Sequence, residues 1–108
     1  MKPVDVRIAR SAEGDLLQGH AFYERQQAGI GDYFLDSLFA DIDALQLYAG
    51  IHPKPLKGRL QHLHRTFATR FPFAIYYEVR DEVAVVLAVL DCRQNPASIT
   101  KRLSDPRA

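Results

Sequence analysis

Residues 73–90, with the sequence FAIYYEVRDEVAVVLAVL, carry the patterns of two β-strands joined by a tight turn. The first eight residues alternate between two faces, as they do in a half-buried strand. The last eight, residues 83–90, are apolar at every position, which is typical of a strand that is central in a sheet or covered on both faces. Asp81 and Glu82 supply the reversal between the strands. The stretch therefore predicts an antiparallel hairpin inside a sheet.

The flanking residues extend this hairpin. Residues 61–71 predict another strand that ends at Pro72, so three successive strands with short connections form an antiparallel meander. After the last strand, Asn95 and Pro96 have the N-cap and first-turn preferences of a helix, and residues 97–103 can form a short one. The C-terminal half is therefore predicted as three strands followed by a short helix.

The N-terminal half begins with a strand and a helix. Residues 4–9 alternate apolar and polar side chains with the two-residue period of a strand. Ser11 is the expected N-cap of a helix that runs to about Gln27. The predicted inner face of this helix consists of Leu16, Leu17, His20, Ala21 and Tyr23.

A second helix follows the glycine-containing connection at residues 29–31, whose glycines allow a tight turn. Its expected inner face consists of Leu35, Leu38, Ile42, Leu45 and Ala49, widened by Phe34, Phe39 and Tyr48. The short connection predicts that the two helices pack as an antiparallel hairpin on one face of the antiparallel sheet. The predicted fold class is therefore α+β, with the order strand, helical hairpin, three-strand meander and short C-terminal helix.

Length and composition limit the kind of protein. The 108 residues, 47% hydrophobic and 25% charged, fit one globular domain over residues 1–108. The single cysteine, Cys92, cannot form an internal disulfide, and the charged N-terminal residues do not resemble a signal peptide. The longest apolar run has eight residues, whereas a membrane helix needs roughly 20. We therefore expect a cytoplasmic protein that does not enter the membrane.

Charge is unevenly distributed along the chain although its total is only +1. Residues 1–50 hold four Lys/Arg and eight Asp/Glu, which gives −4, and residues 51–108 hold ten and five, which gives +5. The C-terminal half can therefore present a positive surface to a polyanion or an acidic partner, or an ordinary solvated surface.

Several stretches, in order, resemble one protein family. They are YERQQAGIGDYFL at residues 23–35, His52-Pro53, RFPFAIYY at residues 70–77, VLAVL at residues 86–90, Arg93 and Pro96. Together with the order of elements, they resemble the RelE/ParE toxins of type II toxin–antitoxin systems, also called plasmid stabilisation proteins. The resemblance implies a growth-arresting toxin neutralised by a cognate antitoxin, in a heterotetramer or a higher assembly.

Differences from the family pattern favour its ParE-like branch, which inhibits DNA gyrase by binding. Asp91-Cys92 stands before Arg93 where many relatives have His-Gly, and neither tyrosine nor histidine follows Tyr77. RNA cleavage without a metal needs a group that accepts the 2′-hydroxyl proton, and no evident base lies in the last strand or helix. Two alternatives remain open: a ribosome-dependent mRNA endonuclease of the RelE type, and a non-toxic relative that acts as a binding module.

Candidate site residues follow from these patterns. A positive, target-facing surface is predicted from Arg65, Arg70, Arg93, Lys101 and Arg102. Phe73 and Tyr76 are the candidates for contact with the antitoxin. No catalytic residue is assigned, and no metal or other cofactor is expected.

Two weaker signals point to ordinary structural roles. His62 and His64 are two residues apart and share a strand face, so with His52 they form a possible metal site, but surface histidines without a Cys or carboxylate cluster are more often structural. Cys92 has no histidine near it in sequence and is expected to be a small buried hydrophobic residue.

Overall fold

The computed structural model describes residues 3–105. Along the chain, the elements are β1 (Asp5–Ile8), α1 (Arg10–Gln26), α2 (Ile30–Asp43), α3 (Leu45–Tyr48), a 3₁₀ turn (Gly58–Leu60), β2 (His64–Phe67), β3 (Phe73–Arg80), β4 (Val83–Asp91) and α4 (Pro96–Leu103). Across residues 3–105, no helix combines the length and the apolar character needed to span a bilayer.

The predicted α+β fold class is confirmed, and the four strands form one sheet in the order β1-β4-β3-β2. β4 is central, as its unbroken apolar sequence predicted, and β2, β3 and β4 form the expected meander. β1 pairs parallel to β4, so the sheet is mixed and not purely antiparallel. The two antiparallel steps of the meander fix the direction of β4, whereas the alternation in β1 carries no information about its direction.

The β3–β4 hairpin contains two local features that shape the site. Its turn residues, Asp81 and Glu82, have φ values of 51° and 64°, the left-handed conformation that two-residue hairpin turns require. Tyr76 pairs with Ala88 but Tyr77 pairs with Val86, so Leu87 is an extra residue in β4, a β-bulge. β1 pairs with β4 only as far as Val86. The bulge changes which N–H and C=O groups of β4 point to the edge that β1 leaves uncovered.

The main core lies between the helical hairpin and one sheet face. Its fully buried side chains include Phe34, Leu38, Ile42, Ile75 and Tyr77, and each apolar side chain transferred there contributes about 1.5–3 kcal/mol. Gly31 permits the close packing of α1 and α2, because a Cβ at this position would lie 2.7 Å from the His20 carbonyl oxygen.

A second, smaller core lies on the opposite sheet face. Ala74, Tyr76, Ala88 and Leu90 are buried there, and the partly buried Leu56, Ile99 and Leu103 pack against them. The alternation predicted for β3 is thus confirmed, since Phe73, Ile75 and Tyr77 belong to the main core. Asn95 caps α4 as predicted, accepting the Ala97 N–H at 2.7 Å.

Several local predictions were wrong. The first helix begins at Arg10 with Ala9 as N-cap, and Ser11 instead donates its hydroxyl hydrogen to the Leu87 carbonyl oxygen at 2.8 Å. Leu17 is 65% exposed, because Ala12, Leu16 and Gly19 form the buried face of α1.

The second helix and first meander strand also differ from their predictions. The helix is divided into α2 and α3, and its Phe39 and Tyr48 are exposed. The strand predicted at residues 61–71 is limited to His64–Phe67, since a turn precedes it and residues 68–72 form the connection to β3.

Candidate functional site

A cleft lies between α4 and the second sheet face, next to β2. We call it the α4 cleft; its volume is about 250 Å³. The side chains that line it include Arg65, Phe67, Tyr76, Cys92 and Ile99. The Arg65 guanidinium lies over the exposed Phe67 ring, 4.8 Å from its centroid, in a cation–π contact. The cleft therefore presents a cation and an aromatic face together.

The side chain of Asp15 joins α1, β4 and α4. β1 ends opposite Val86, and beyond that point side chains of α1 bond the β4 edge in its place. One Asp15 carboxylate oxygen accepts the Val89 N–H at 3.0 Å and an Arg102 N–H at 2.8 Å. Burial raises the pKa of the Asp15 carboxyl, and the hydrogen bond from Val89 and the charge of Arg102 oppose this shift only in part. Asp15 thereby fixes one side of α4.

Arg93 forms a two-pronged ion pair with Asp91 at the end of β4. Its Nε and Nη2 atoms donate to the two carboxylate oxygens at 2.9 and 2.6 Å. These hydrogen bonds lower the pKa of the Asp91 carboxyl and raise the pKa of the exposed Arg93 guanidinium. The Tyr23 hydroxyl is a further neighbour of Arg93. The ion pair orients the arginine while leaving it accessible.

Arg70 lies at the same end of the molecule as Arg93. Its guanidinium is 6.0 Å from the Tyr33 ring, and Phe71 connects the two arginines because its ring is 5.6 Å from Tyr33 and 4.9 Å from Tyr23. We call this surface, made of Arg70, Arg93, Tyr23, Tyr33 and Phe71, the arginine end. Two of the five predicted target-facing cations thus share one aromatic cluster.

The other three predicted cations lie elsewhere. Arg65 is in the α4 cleft, and Lys101 is exposed on α4. Arg102 is three-quarters buried in its ion pair with Asp15, so its assignment to an exposed surface was wrong. Sequence could not indicate this pairing, because Asp15 is 87 residues away.

Phe73 and Tyr76 do not form the exposed surface that was predicted for antitoxin contact. Phe73 is only 8% exposed in the main core, and Tyr76 is 3% exposed beneath α4. The two-residue period places them on opposite faces, but it does not indicate that both faces are covered.

Cys92 is exposed at the rim of the α4 cleft and is not the small buried residue that was expected. Partial burial of its thiol and the nearby Asp91 carboxylate raise the pKa of Cys92, and the charges of Arg65 and Arg93 only partly oppose this. The protonated thiol is therefore favoured, which makes Cys92 a poor nucleophile.

Of the three histidines that were considered together, His62 lies apart from the other two in the structure. His62 lies before β2 and pairs with Glu78 at 3.2 Å, whereas His52 and His64 surround the buried Tyr77. Among residues 3–105, no group of three or more His, Cys, Asp and Glu side chains is arranged to hold a metal ion. Sequence reasoning missed the His52–Tyr77 contact because it spans 25 residues and depends on the loop path.

A third surface feature is an apolar groove between the helical hairpin and β1. We call it the β1 groove; it has a volume of about 460 Å³ and is lined by Val6, Ile8, Glu13, Leu16, Leu17, Leu35 and Phe39. Leu17 is 65% exposed and Phe39 is 41% exposed. The Asp5 N–H donates to the Glu82 carbonyl oxygen and the Ala9 N–H to that of Val86, so the backbone groups of the intervening Val6 and Ile8 point to the open edge of the sheet.

The architecture is that of an α+β domain with a helical hairpin on a mixed four-stranded sheet. No family model matches the sequence, and no curated protein matches it significantly. A solved structure of the chromosomal ParDE TA system from P. aeruginosa is similar, with a TM-score of 0.72 and 15% identity over 82% of this chain and 96% of that chain. The chain shares the fold of this ParDE structure, in agreement with the fold that the sequence resemblance implied.

A second solved structure, the toxin–antitoxin complex RelBE2 from Mycobacterium tuberculosis, was also found. It has 25% identity and a TM-score of 0.49, over 81% of this chain and 95% of that chain.

Proposed function

We propose that this chain is the toxin component of a type II toxin–antitoxin system and acts in the cytoplasm. In this proposal, a cognate antitoxin holds the toxin inactive in a heterotetramer or a larger assembly. The released toxin binds DNA gyrase and blocks it without carrying out a reaction of its own. The similar solved structure is that of a ParDE TA system, and this similarity supports the general class of the proposed function.

The β1 groove is the observation that carries the proposal. Its exposed Leu17 and Phe39 lie beside an open strand edge, a combination that fits a partner segment adding a strand and placing apolar side chains in the groove. Residues 1–50, which supply the groove, carry a net charge of −4, so a basic partner segment is expected. An antitoxin segment of this chemistry would cover a surface that is otherwise exposed to water.

Inhibition by binding is supported by the composition of the α4 cleft. Among the described residues that line it, there is no histidine and no carboxylate. Ribonucleolytic cleavage needs a group that accepts the 2′-hydroxyl proton, and the protonated Cys92 thiol is unsuited to this task. The arginine end, with its oriented and accessible Arg93, is the surface that we assign to target binding.

One observation favours the ribosome-dependent mRNA endonuclease as the second candidate. Arg65 above Phe67 combines a cation for phosphate with an aromatic face for stacking on a base. In that case the enzyme would be a metal-independent ribonuclease. The non-toxic binding module is the third possibility, and it requires only the β1 groove.

Substitution of Arg93 by alanine tests the target surface. We expect the native chain to inhibit DNA supercoiling by purified gyrase, and Arg93→Ala to need an at least tenfold higher concentration, because arginines at the centre of an interface often contribute more than 1.4 kcal/mol to binding. Arg80→Ala is the matched control, since Arg80 is also exposed and paired with a neighbouring carboxylate but lies at the opposite end of the hairpin.

The outcomes separate the candidate functions. Equal inhibition by native chain and Arg93→Ala would show that the arginine end is not the target surface. Unchanged supercoiling together with cleaved messenger on ribosomes would identify the endonuclease. Unchanged supercoiling together with intact messenger would indicate the non-toxic binding module.

A further inference from the structure

Three rings meet where the loop after α3 contacts the sheet. The fully buried Tyr77 hydroxyl accepts the Gly50 N–H at 3.1 Å and lies 2.6 Å from Nδ1 of His52. His64 is stacked on the Tyr77 ring, with centroids 5.0 Å apart and planes inclined by 16°. Nδ1 of His64 is 2.8 Å from the His52 carbonyl oxygen. His52 is part of the loop and His64 is part of β2, and both contact Tyr77. His64 also bonds to the loop backbone.

Hydrogen-bond complementarity determines where the protons lie. A carbonyl oxygen only accepts, so Nδ1 of His64 must carry the hydrogen. The Tyr77 hydroxyl accepts the Gly50 N–H, and its own hydrogen finds an acceptor in Nδ1 of His52 when that nitrogen is unprotonated. If His52 became a cation, its Nδ1–H would face this hydroxyl and the tyrosine hydrogen would lose its acceptor. The hydrogen bonds of this network are thus all satisfied when His52 is neutral.

Among the described residues, no carboxylate forms an ion pair with His52. A cavity of about 140 Å³ beside it is lined by Asp41 of α2, Tyr48 of α3, Thr66 of β2 and Thr69. The Asp41 carboxylate is directed at Thr69, whose N–H and hydroxyl it accepts at 3.0 Å each, and it forms no ion pair with His52. The remaining titratable neighbours are Tyr77 and His64. Burial and the proximity of His64 lower the pKa of His52.

The loop held by this cluster also forms part of the α4 cleft. The Pro53 carbonyl oxygen accepts the Arg65 N–H at 2.9 Å along the outer edge of β2. Three residues further on, Leu56 packs against the second core and lines the cleft. A change at His52 is therefore transmitted over a few residues to the cleft wall and to the Arg65 backbone.

We propose that His52, His64 and Tyr77 form a proton-sensitive clasp, in which neutral His52 holds the loop of residues 50–57 against β2 and protonated His52 releases it. Release frees the Arg65 N–H and withdraws Leu56 from the wall of the α4 cleft. The clasp is a property of the fold and does not depend on the proposed toxin function.

Amide hydrogen exchange of the full chain tests the clasp. Between pH 7.5 and pH 5.5, after correction for intrinsic exchange, we expect protection of the Gly50 and Arg65 N–H groups to fall about tenfold in the native chain. The sign follows from linkage: a histidine whose folded pKa is lowered contributes its full stability above the unfolded value of 6.5, and this contribution is lost as the pH falls below it.

Two variants make the test specific. His52→Gln keeps an acceptor but cannot titrate, so its protection should not change with pH. His62→Gln removes an exposed histidine outside the clasp and should retain the native pH dependence. NMR titration of the native chain gives a readout that does not depend on how well a variant folds, and the His52 ring should titrate below pH 6.5. Titration of His52 at or above 6.5, constant protection in the native chain, or an equal loss in His52→Gln would overturn the proposal.

Discussion

Replacing Asp15 by alanine is expected to lower the free energy of unfolding by about 3 kcal/mol, the lower end of the range for breaking a buried ion pair. The Asp15 side chain is only 10% exposed and satisfies both the Val89 N–H and Arg102. Its removal leaves the β4 edge without its acceptor and a largely buried guanidinium without its counter-ion. One nitrogen of that guanidinium, Nη1, is already buried without a hydrogen-bond partner.

Chemical denaturation measures this effect, with Glu13→Ala as the matched control. Glu13 is an exposed acid one half-turn earlier on α1 and lies away from the pair. Its substitution is expected to change stability by less than about 0.5 kcal/mol, as is usual at surface positions. A loss below about 1 kcal/mol in Asp15→Ala would contradict the structural role assigned to this carboxylate.

The pH dependence of the same position has a definite sign. Because the folded pKa of Asp15 is raised above 3.8, protonation of this carboxyl favours the folded state. Relative to Asp15→Asn, which cannot titrate, the native chain should gain stability as the pH falls from the folded pKa towards 3.8. Parallel denaturation curves of the two chains between pH 7 and pH 4 provide the comparison.

Replacing Leu17 by lysine is expected to weaken antitoxin binding at least about 100-fold, equivalent to roughly 2.7 kcal/mol. Leu17 lies in the β1 groove beside the open edge of β1, and a charge placed there would have to be buried under the partner segment. The isolated chain should fold normally, since Leu17 is mostly exposed. The probe is the protein encoded by the neighbouring reading frame, with binding measured by titration calorimetry.

Leu47→Lys is the matched control for this substitution. Leu47 is a similarly exposed leucine, 51% accessible, on α3 and outside the described lining of the β1 groove. Its replacement should leave the affinity within about twofold of the native value. Equal affinities of Leu17→Lys and the native chain would show that the β1 groove is not part of the proposed antitoxin interface.

The parts of the fold that were predicted from sequence are those determined by neighbouring residues. The alternation in β3, the unbroken apolar β4, the turn at Asp81-Glu82 and the Asn95 cap each depend on a few consecutive side chains. The helical hairpin followed in the same way from its periodicity and from the glycines between the helices.

The predictions that failed depend on contacts between distant residues. Ser11 bonds to a carbonyl 76 positions away because β1 ends early and leaves the β4 edge open. Tyr76 is buried because α4 returns across the second sheet face, and Arg102 is engaged because α4 passes close to Asp15. Neither periodicity nor composition indicates where such elements meet.

From the sequence, the function could be predicted only through a family resemblance. The candidate functional surfaces could be located only in the structure. Among the predicted target residues, Arg93 has the setting that best fits the role proposed for it, because Asp91 orients it and leaves it exposed. The β1 groove escaped notice because Leu17 had been assigned to the inner face of α1. A leucine that is one position off the true buried face cannot be distinguished from a core residue by helical spacing alone.

Growth of a bacterial host after induction of the native chain is the most direct measurement of the central claim. A toxin covered by an antitoxin is expected to arrest growth when it is produced alone and to be harmless when it is produced together with the protein from the neighbouring reading frame. Unimpaired growth of cells that accumulate the folded native chain alone would contradict the account.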